Sequence, residues 1–555
     1  MNTLLLDRLQ DNKVRSRINV LIGAMLILAS LLSTAKLFIL GITIDEEYAV
    51  CMSYRNAIGD RMFLDMWEPH QTSGFLCTAL IRLFLTVFHT TDYLVIFLHF
   101  SGFVIEGLLA LYVYLTLRKK CSKHLSFCLA LLVFLVLPKQ MLTPDFSNIL
   151  IWSSTALVMT LIRLNEEPQK GIKWSVIAGI FACICVLAYP SCIIAAIIIA
   201  YSVYRISGEK KSSNTLAYLG TCVFIGITYI AYFLTHMSVS EFIFGVKKML
   251  SDGSHQGTAS RLGWMITEFK ALLLPAGIIL TVSVIVYIAL KRSVHFIEIF
   301  LIISMIHQVV FWCIDSNLYI NEPLIFYYAA FALGFLVVRK NRAIIWCGMI
   351  PTIFMWLCAM IVTNTGFRVT GTYLLPGIIC AFAFGFTYNS EKSVTKLPKI
   401  AIALMVFVLL FERGYLVIEN NGYKADIGFV KQKALSGPLL NIYCRYNDGY
   451  DYNTVAELLR NYSRQGDVLL CTDSHSSWYM LSDSAISMYS TISTPTYDEN
   501  MSDYWTIHPE RVPTLLIARE GSETSEEIEK LFGNTELLEI RDGIAIYRLK
   551  NFLGK

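Results

Sequence analysis

Apolar runs recurring from the N-terminal region to residue 418 constrain this chain more than any other feature. They lie near 18–42, 90–117, 124–138, 146–164, 174–188, 190–206, 216–236, 270–290, 295–314, 323–338, 343–362, 373–388 and 399–418. A helix of about 20 apolar residues crosses the hydrocarbon of a bilayer, and the shorter runs reach that length through their polar flanks. Backbone in lipid must satisfy its own N–H and C=O groups, so such runs are read as helices. The expectation is a polytopic α-helical membrane protein of about thirteen spans. Composition agrees: 55% of the 555 residues are hydrophobic and 16% charged, against about a quarter charged in soluble proteins. A net charge of +4 gives no reason to invoke nucleic acid.

The placement of charge adds orientation. Lys13, Arg15 and Arg17, then Arg118, Lys119, Lys120 and Lys123, then Arg163, Lys170 and Lys173, then Arg205, Lys210 and Lys211 fall on alternate connections. Lys291 and Arg292, Arg339, Lys340 and Arg342, and Lys392, Lys396 and Lys399 continue the series. The short connections 139–145, 189–190, 315–322 and 364–372 hold very few basic residues. The positive-inside rule then puts the N-terminus in the cytoplasm, and an odd number of spans puts the C-terminal segment outside. The first span has no small-residue cleavage site after it and reads as a signal-anchor of a multi-pass cell-membrane protein.

Two domains are expected. Residues 1–418 form the membrane domain, with long outside loops at 43–89 and 237–269, and residues 419–555 form a small extracytoplasmic α/β domain. In the tail, helices are expected at Tyr452–Arg464, capped near Asn453, and at Ser522–Leu531. Strands are expected over Asp467–Thr472 and Thr514–Ala518, with two short ones over Leu537–Tyr547 around Asp542-Gly543. Most of the fourteen cysteines fall in apolar spans and read as small apolar residues. Cys444 and Cys471 lie outside, where a disulfide or two free thiols are both open.

Chemistry concentrates in loop 43–89. Glu46 to Ile58 reads as a helix with Asp45 as N-cap and Gly59 as its stop. Tyr48, Met52 or Cys51, and Arg55 recur at helical spacing, giving a face suited to the membrane surface. Residues 61–69 are an apolar-aromatic stretch suited to headgroups, and Thr72–Phe88 reads as a second surface helix. Asp45 and Glu46 stand where an apolar helix leaves the bilayer, and a carboxylate there can take the proton of an attacking hydroxyl. Asp145, in Thr143-Pro144-Asp145-Phe146, starts the helix after the second outside loop. His99 and Glu106 are ionisable groups inside a span, where an interhelical contact is the simpler reading.

Thr43-Ile44-Asp45-Glu46-Glu47-Tyr48, the helix ending in Ala57-Ile58-Gly59-Asp60, and Trp67-Glu68-Pro69-His70 together resemble the first periplasmic loop of GT-C glycosyltransferases. The branch they resemble contains protein O-mannosyltransferases and lipid A aminoarabinose transferases. The resemblance implies a polyprenyl-phosphate-linked sugar donor, an acceptor hydroxyl on a glycan, lipid or protein, and an inverting transfer at the outer face of the membrane. It implies catalytic roles for Asp45, Glu46 and Asp145. Glu68, Gln71 and Tyr373 would position substrate. A lysine usual near Glu68-Pro69 is absent and His70 stands in its place; Thr372 stands where an arginine is usual, one turn after Arg368. His70, Arg368 and Arg55 are therefore the candidate cations for the donor phosphate. No cofactor is expected; a divalent ion, if one takes part, falls to Asp45 and Asp145. The competing reading is a transporter or lipid-handling protein, for which paired repeats and broken helices are the mark.

Overall fold

The computed structural model describes residues 2–138, 141–251, 258–290, 345–363, 370–385, 430–473, 475–492, 499–522 and 530–553, with scattered positions at 296–307 and 403–425 and Ile528. Among them, seven helices are long and apolar enough to cross a membrane: Arg17–Phe38, Gln71–Phe88, Leu94–Leu117, Phe146–Glu166, Pro168–Ala188, Gly208–Leu234 and Ile345–Val362. Four shorter apolar helices accompany them, at Lys123–Leu135, Pro190–Ile206, Leu273–Ala289 and Gly371–Phe384. This is the make-up of a multi-pass membrane protein. The runs expected at 323–338 and, for the most part, 295–314 and 399–418 lie outside the described residues.

In chain order the helices before the tail include α1 (Asn2–Ala35), α2 (Ile44–Ile58), α3 (Phe75–Phe88), α4 (Leu94–Leu117), α5 (Lys123–Leu135) and α6 (Phe146–Glu166). They continue with α7 (Gly171–Ala188), α8 (Ile193–Ile206), α9 (Lys211–Leu234), α10 (Val239–Leu250) and α11 (Thr258–Ala289). Helix α6 is the axis of the bundle: nearly its whole length is buried, and it packs on α4, α7 and α8.

The tail holds a five-stranded sheet in the order Ala485–Ile486, Val468–Cys471, Leu515–Arg519, Ile544–Phe552, Phe532–Arg541. The first three strands are parallel and the last two antiparallel. The hairpin turns at Asp542-Gly543, with φ of 54° and 77°. Two positive φ values define the turn that matches strand twist, and Asp-Gly is its favoured pair. The helix expected from Tyr452 begins earlier, at Tyr446, and runs to Tyr462. Asn453 is no cap: its amide bonds Leu435 N and Lys433 O, pinning the neighbouring strand. Cys444 and Cys471 are both buried and are not joined in a disulfide. Most of the expected helix 522–531 lies outside the described residues.

Three expectations for loop 43–89 are corrected. Thr43, not Asp45, caps α2: its hydroxyl accepts from Glu46 N, and helix begins at Ile44. That shift puts Asp45, Glu46 and Glu47 in the first turn, where negative charge meets the positive end of the helix dipole. The face of Tyr48, Cys51, Met52 and Arg55 is enclosed by protein instead of lying on a membrane. Phe63, Met66 and Trp67 are buried too. Trp67 packs edge-on against Tyr504 and Phe244, with centroids 5.3 and 5.6 Å away. The enclosing partners differ. Cys51 and Trp67 share one apolar cluster with α3, the start of α4 and the tail sheet. Tyr48 and Met52 pack into the helix bundle, and Phe63 packs against Phe233 of α9 and Phe242 of α10.

Candidate active site

Helix α2 fans its three acids in different directions, because successive residues turn by about 100°. Glu46 points into the bundle, where His99 Nε2 lies 2.7 Å from Oε1 and the Thr143 hydroxyl donates to the same oxygen. Glu47 points into the tail, accepting from Ser477 Oγ at 2.8 Å and Ser477 N at 3.3 Å, with His475 Nδ1 at 3.3 Å. Asp45 is only half-buried, whereas Glu46 and Glu47 are buried.

The connection before α6 meets α2 at two points. Thr43 Oγ1 lies 2.8 Å from Met141 Sδ, and Thr143 holds Glu46. Asn148 Nδ2 donates to Met141 O at 2.9 Å and Thr143 O at 2.7 Å, which fixes this connection's shape. Asp145 caps α6, its Oδ1 accepting from Asn148 N at 2.8 Å. Glycine is needed opposite: a Cβ on Gly102 of α4 would stand 1.6 Å from Leu142 O. The acids of the two loops are thereby held by one contact network.

His70 lies beside this network. Its ring stacks on Phe146, the residue after Asp145, with centroids 4.1 Å apart and planes 12° from parallel. Tyr189 lies edge-on at 5.8 Å, and His70 N donates to Tyr48 OH at 3.3 Å. Tyr373 reaches the same group through Tyr189, hydroxyl to hydroxyl at 3.3 Å. Behind Thr72, whose hydroxyl donates to Leu187 O at 2.8 Å, a cavity of about 430 Å³ opens between α7, α8 and α9. Val186, Ile193, Ile197, Cys222 and Tyr229 line it, and its walls are almost wholly apolar.

Arg55 and Glu68 face the other way. Arg55 is fully buried and donates to Asp60 at 2.9 Å, Glu68 at 3.1 Å and the Asp65 carbonyl at 3.0 Å. Burial alone would lower its pKa, but Asp60, Tyr504 and Glu68 outweigh that and hold it above the ordinary arginine value. Glu68 accepts from Ser490 Oγ at 2.7 Å and from Thr491 N at 2.9 Å, so it fastens the loop to the tail. Arg511 supports the same seam through Asp60 at 2.5 Å. Gln71 is buried, its Oε1 accepting from Phe63 N at 2.9 Å. Arg368 lies outside the described residues. Among the described residues, no group of three His, Cys, Asp or Glu is arranged to hold a metal ion.

His99, Thr143, Glu47 and the tail residues Ser477, Ser490 and Thr491 were not among the site residues expected from sequence. An ionisable group in a span marks His99, and its contact with Glu46 joins two helices. Nothing local in the sequence marks the tail residues, which lie more than 400 positions from their partners.

Among solved structures, the chain is similar to the archaeal oligosaccharyltransferase AglB from Archaeoglobus fulgidus, solved in complex with an inhibitory peptide and a dolichol-phosphate. The TM-score is 0.42 and the identity 11%, over 95% of this chain and 74% of that one. So loose a likeness carries no argument about function. No family model matches the chain, and no curated protein matches it.

Proposed function

We propose that this protein is a membrane glycosyltransferase that moves a sugar from a polyprenyl-phosphate donor to an acceptor hydroxyl at the outer face of the cell membrane. The observation that carries the reading is the Glu46–Thr143 contact, which ties the Asp45 turn to the Asp145 turn. The half-buried Asp45 is then the acid within reach of substrate, and the apolar cavity beside Thr72 suits the lipid tail.

In the proposed step the acceptor oxygen attacks the anomeric carbon as the carbon–oxygen bond to phosphate breaks. The hydroxyl proton goes to the Asp45 carboxylate, and the lipid phosphate leaves as an anion with inversion at carbon. His70, stacked on Phe146 with Tyr48 and Tyr189 edge-on to its ring, is assigned to the phosphate side, together with Arg368. Tyr373 is assigned to substrate positioning. Arg55 and Glu68 are reassigned to docking the tail, because their polar atoms are engaged there. The test is glycan and lipid-linked sugar analysis of cells carrying Asp45→Asn. The proposal expects loss of the glycosylated product and accumulation of lipid-linked sugar at normal protein level. Unchanged products would refute it and favour lipid handling without transfer.

A further inference from the structure

The buried His99–Glu46 pair has a protonation state constrained by its neighbours. His99 is bonded at both ring nitrogens: Nδ1 is 3.0 Å from the Phe38 carbonyl oxygen and Nε2 is 2.7 Å from Glu46 Oε1. A backbone carbonyl only accepts, so Nδ1 carries a hydrogen. Nε2 and Oε1 therefore hold one further proton between them. The pair is either imidazolium with carboxylate or imidazole with carboxylic acid, and its net charge is zero in both forms. The Thr143 hydroxyl donates to that same Oε1. Gly102, one turn along α4 from His99, brings this face of α4 against the backbone of Leu142.

We propose that His99 is a positioning residue: by sharing a proton with Glu46 it cancels that acid's charge and holds it on Thr143, leaving Asp45 as the charged acid toward an anionic lipid phosphate. This rests on the transfer reading above. An uncompensated carboxylate next to Asp45 would repel the phosphate through a medium of low dielectric. The role is thus electrostatic, and it separates from space-filling by charge rescue.

The test uses the full-length protein in nanodiscs and a short-chain polyprenyl phosphate as the binding probe. Binding is compared for wild type, His99→Gln, Glu46→Gln and the double variant. His99→Gln should weaken binding about tenfold by leaving Glu46 unbalanced. The double variant, a neutral amide pair of similar size, should recover most of that loss. Additive losses, with the double variant at least as weak as His99→Gln, would overturn the proposal. If His99→Gln fails to fold, the double variant decides. Folded and binding near wild type, it supports the charge argument; unfolded or non-binding, it refutes it. A wild type that binds no polyprenyl phosphate would overturn the transfer reading and this role with it.

Discussion

Glu68→Ala cuts the bridge between the first long loop and the tail at its most heavily bonded point. The carboxylate takes hydrogen bonds from Arg55 Nη1 at 3.1 Å, Ser490 Oγ at 2.7 Å, and Thr491 N and Oγ1 at 2.9 and 3.2 Å. Glu68 and Arg55 are both fully buried. Removing one member of a buried ion pair costs about 3–5 kcal/mol, and a buried donor left without its acceptor costs about 1–3 kcal/mol. These penalties share the same atoms and do not add. Arg55 keeps Asp60 and the Asp65 carbonyl, which also limits the loss. The expected cost is about 3–5 kcal/mol, or a rise of about a hundred- to a few thousandfold in the undocked population. Limited proteolysis of the tail in native membranes reads that population when reclosing outpaces cleavage. Glu536→Ala is the control, since Glu536 is 60% exposed and lies 3.8 Å from Lys550. The control should change stability by less than about 0.5 kcal/mol. Cleavage of Glu68→Ala as slow as that of the control would refute the docking argument.

Two further outcomes follow from neighbouring contacts. Thr143→Val removes the hydroxyl on Glu46 at a cost of about 1–3 kcal/mol in thermal unfolding, and transfer should fall at least about tenfold while Thr143→Ser keeps it; equal activity in both variants would contradict this. Asp65 has its pKa lowered: burial pushes it up, but side-chain and backbone hydrogen bonds from Arg61 outweigh that. A depressed folded pKa stabilises the protein above the ordinary aspartate range and loses that effect as pH falls through the folded value. The melting temperature of wild type should therefore exceed that of Asp65→Asn at neutral pH, and the gap should close in acid. A gap independent of pH would count against the Arg61–Asp65 pairing, in which Arg61 is half exposed.

Much of the architecture was legible because it depends on local pattern. Spanning-length apolar runs, the stop at Gly59 and the Asp542-Gly543 hairpin each follow from a few adjacent residues. The α2 start was misplaced because aspartate outranks threonine as a cap by intrinsic preference, whereas Met141, 98 positions on, meets the Thr43 hydroxyl. The apolar stretch 61–69 suited headgroups by composition, but Trp67 is buried against the tail and Phe63 against α9 and α10, and an apolar side chain does not encode which apolar surface buries it. Arg55 illustrates the same limit among charged residues. Its sequence context allows a phosphate contact, whereas Asp60, Glu68 and the Asp65 carbonyl, brought together by the fold, take up its donors. Asp45 and Asp145 could be singled out because each opens a helix at a membrane boundary. The contact that joins their turns is Thr143 on Glu46, with His99 on the same carboxylate oxygen, and the local pattern connects none of these residues.

The most direct test of the central claim is release of polyprenyl phosphate from lipid-linked sugar by purified protein in nanodiscs, with a cell-envelope extract as acceptor. Wild type should release it in an acceptor-dependent reaction, and Asp45→Asn should bind the lipid yet release at least about a hundredfold less, as expected for loss of a general base. Equal release by Asp45→Asn would contradict the account.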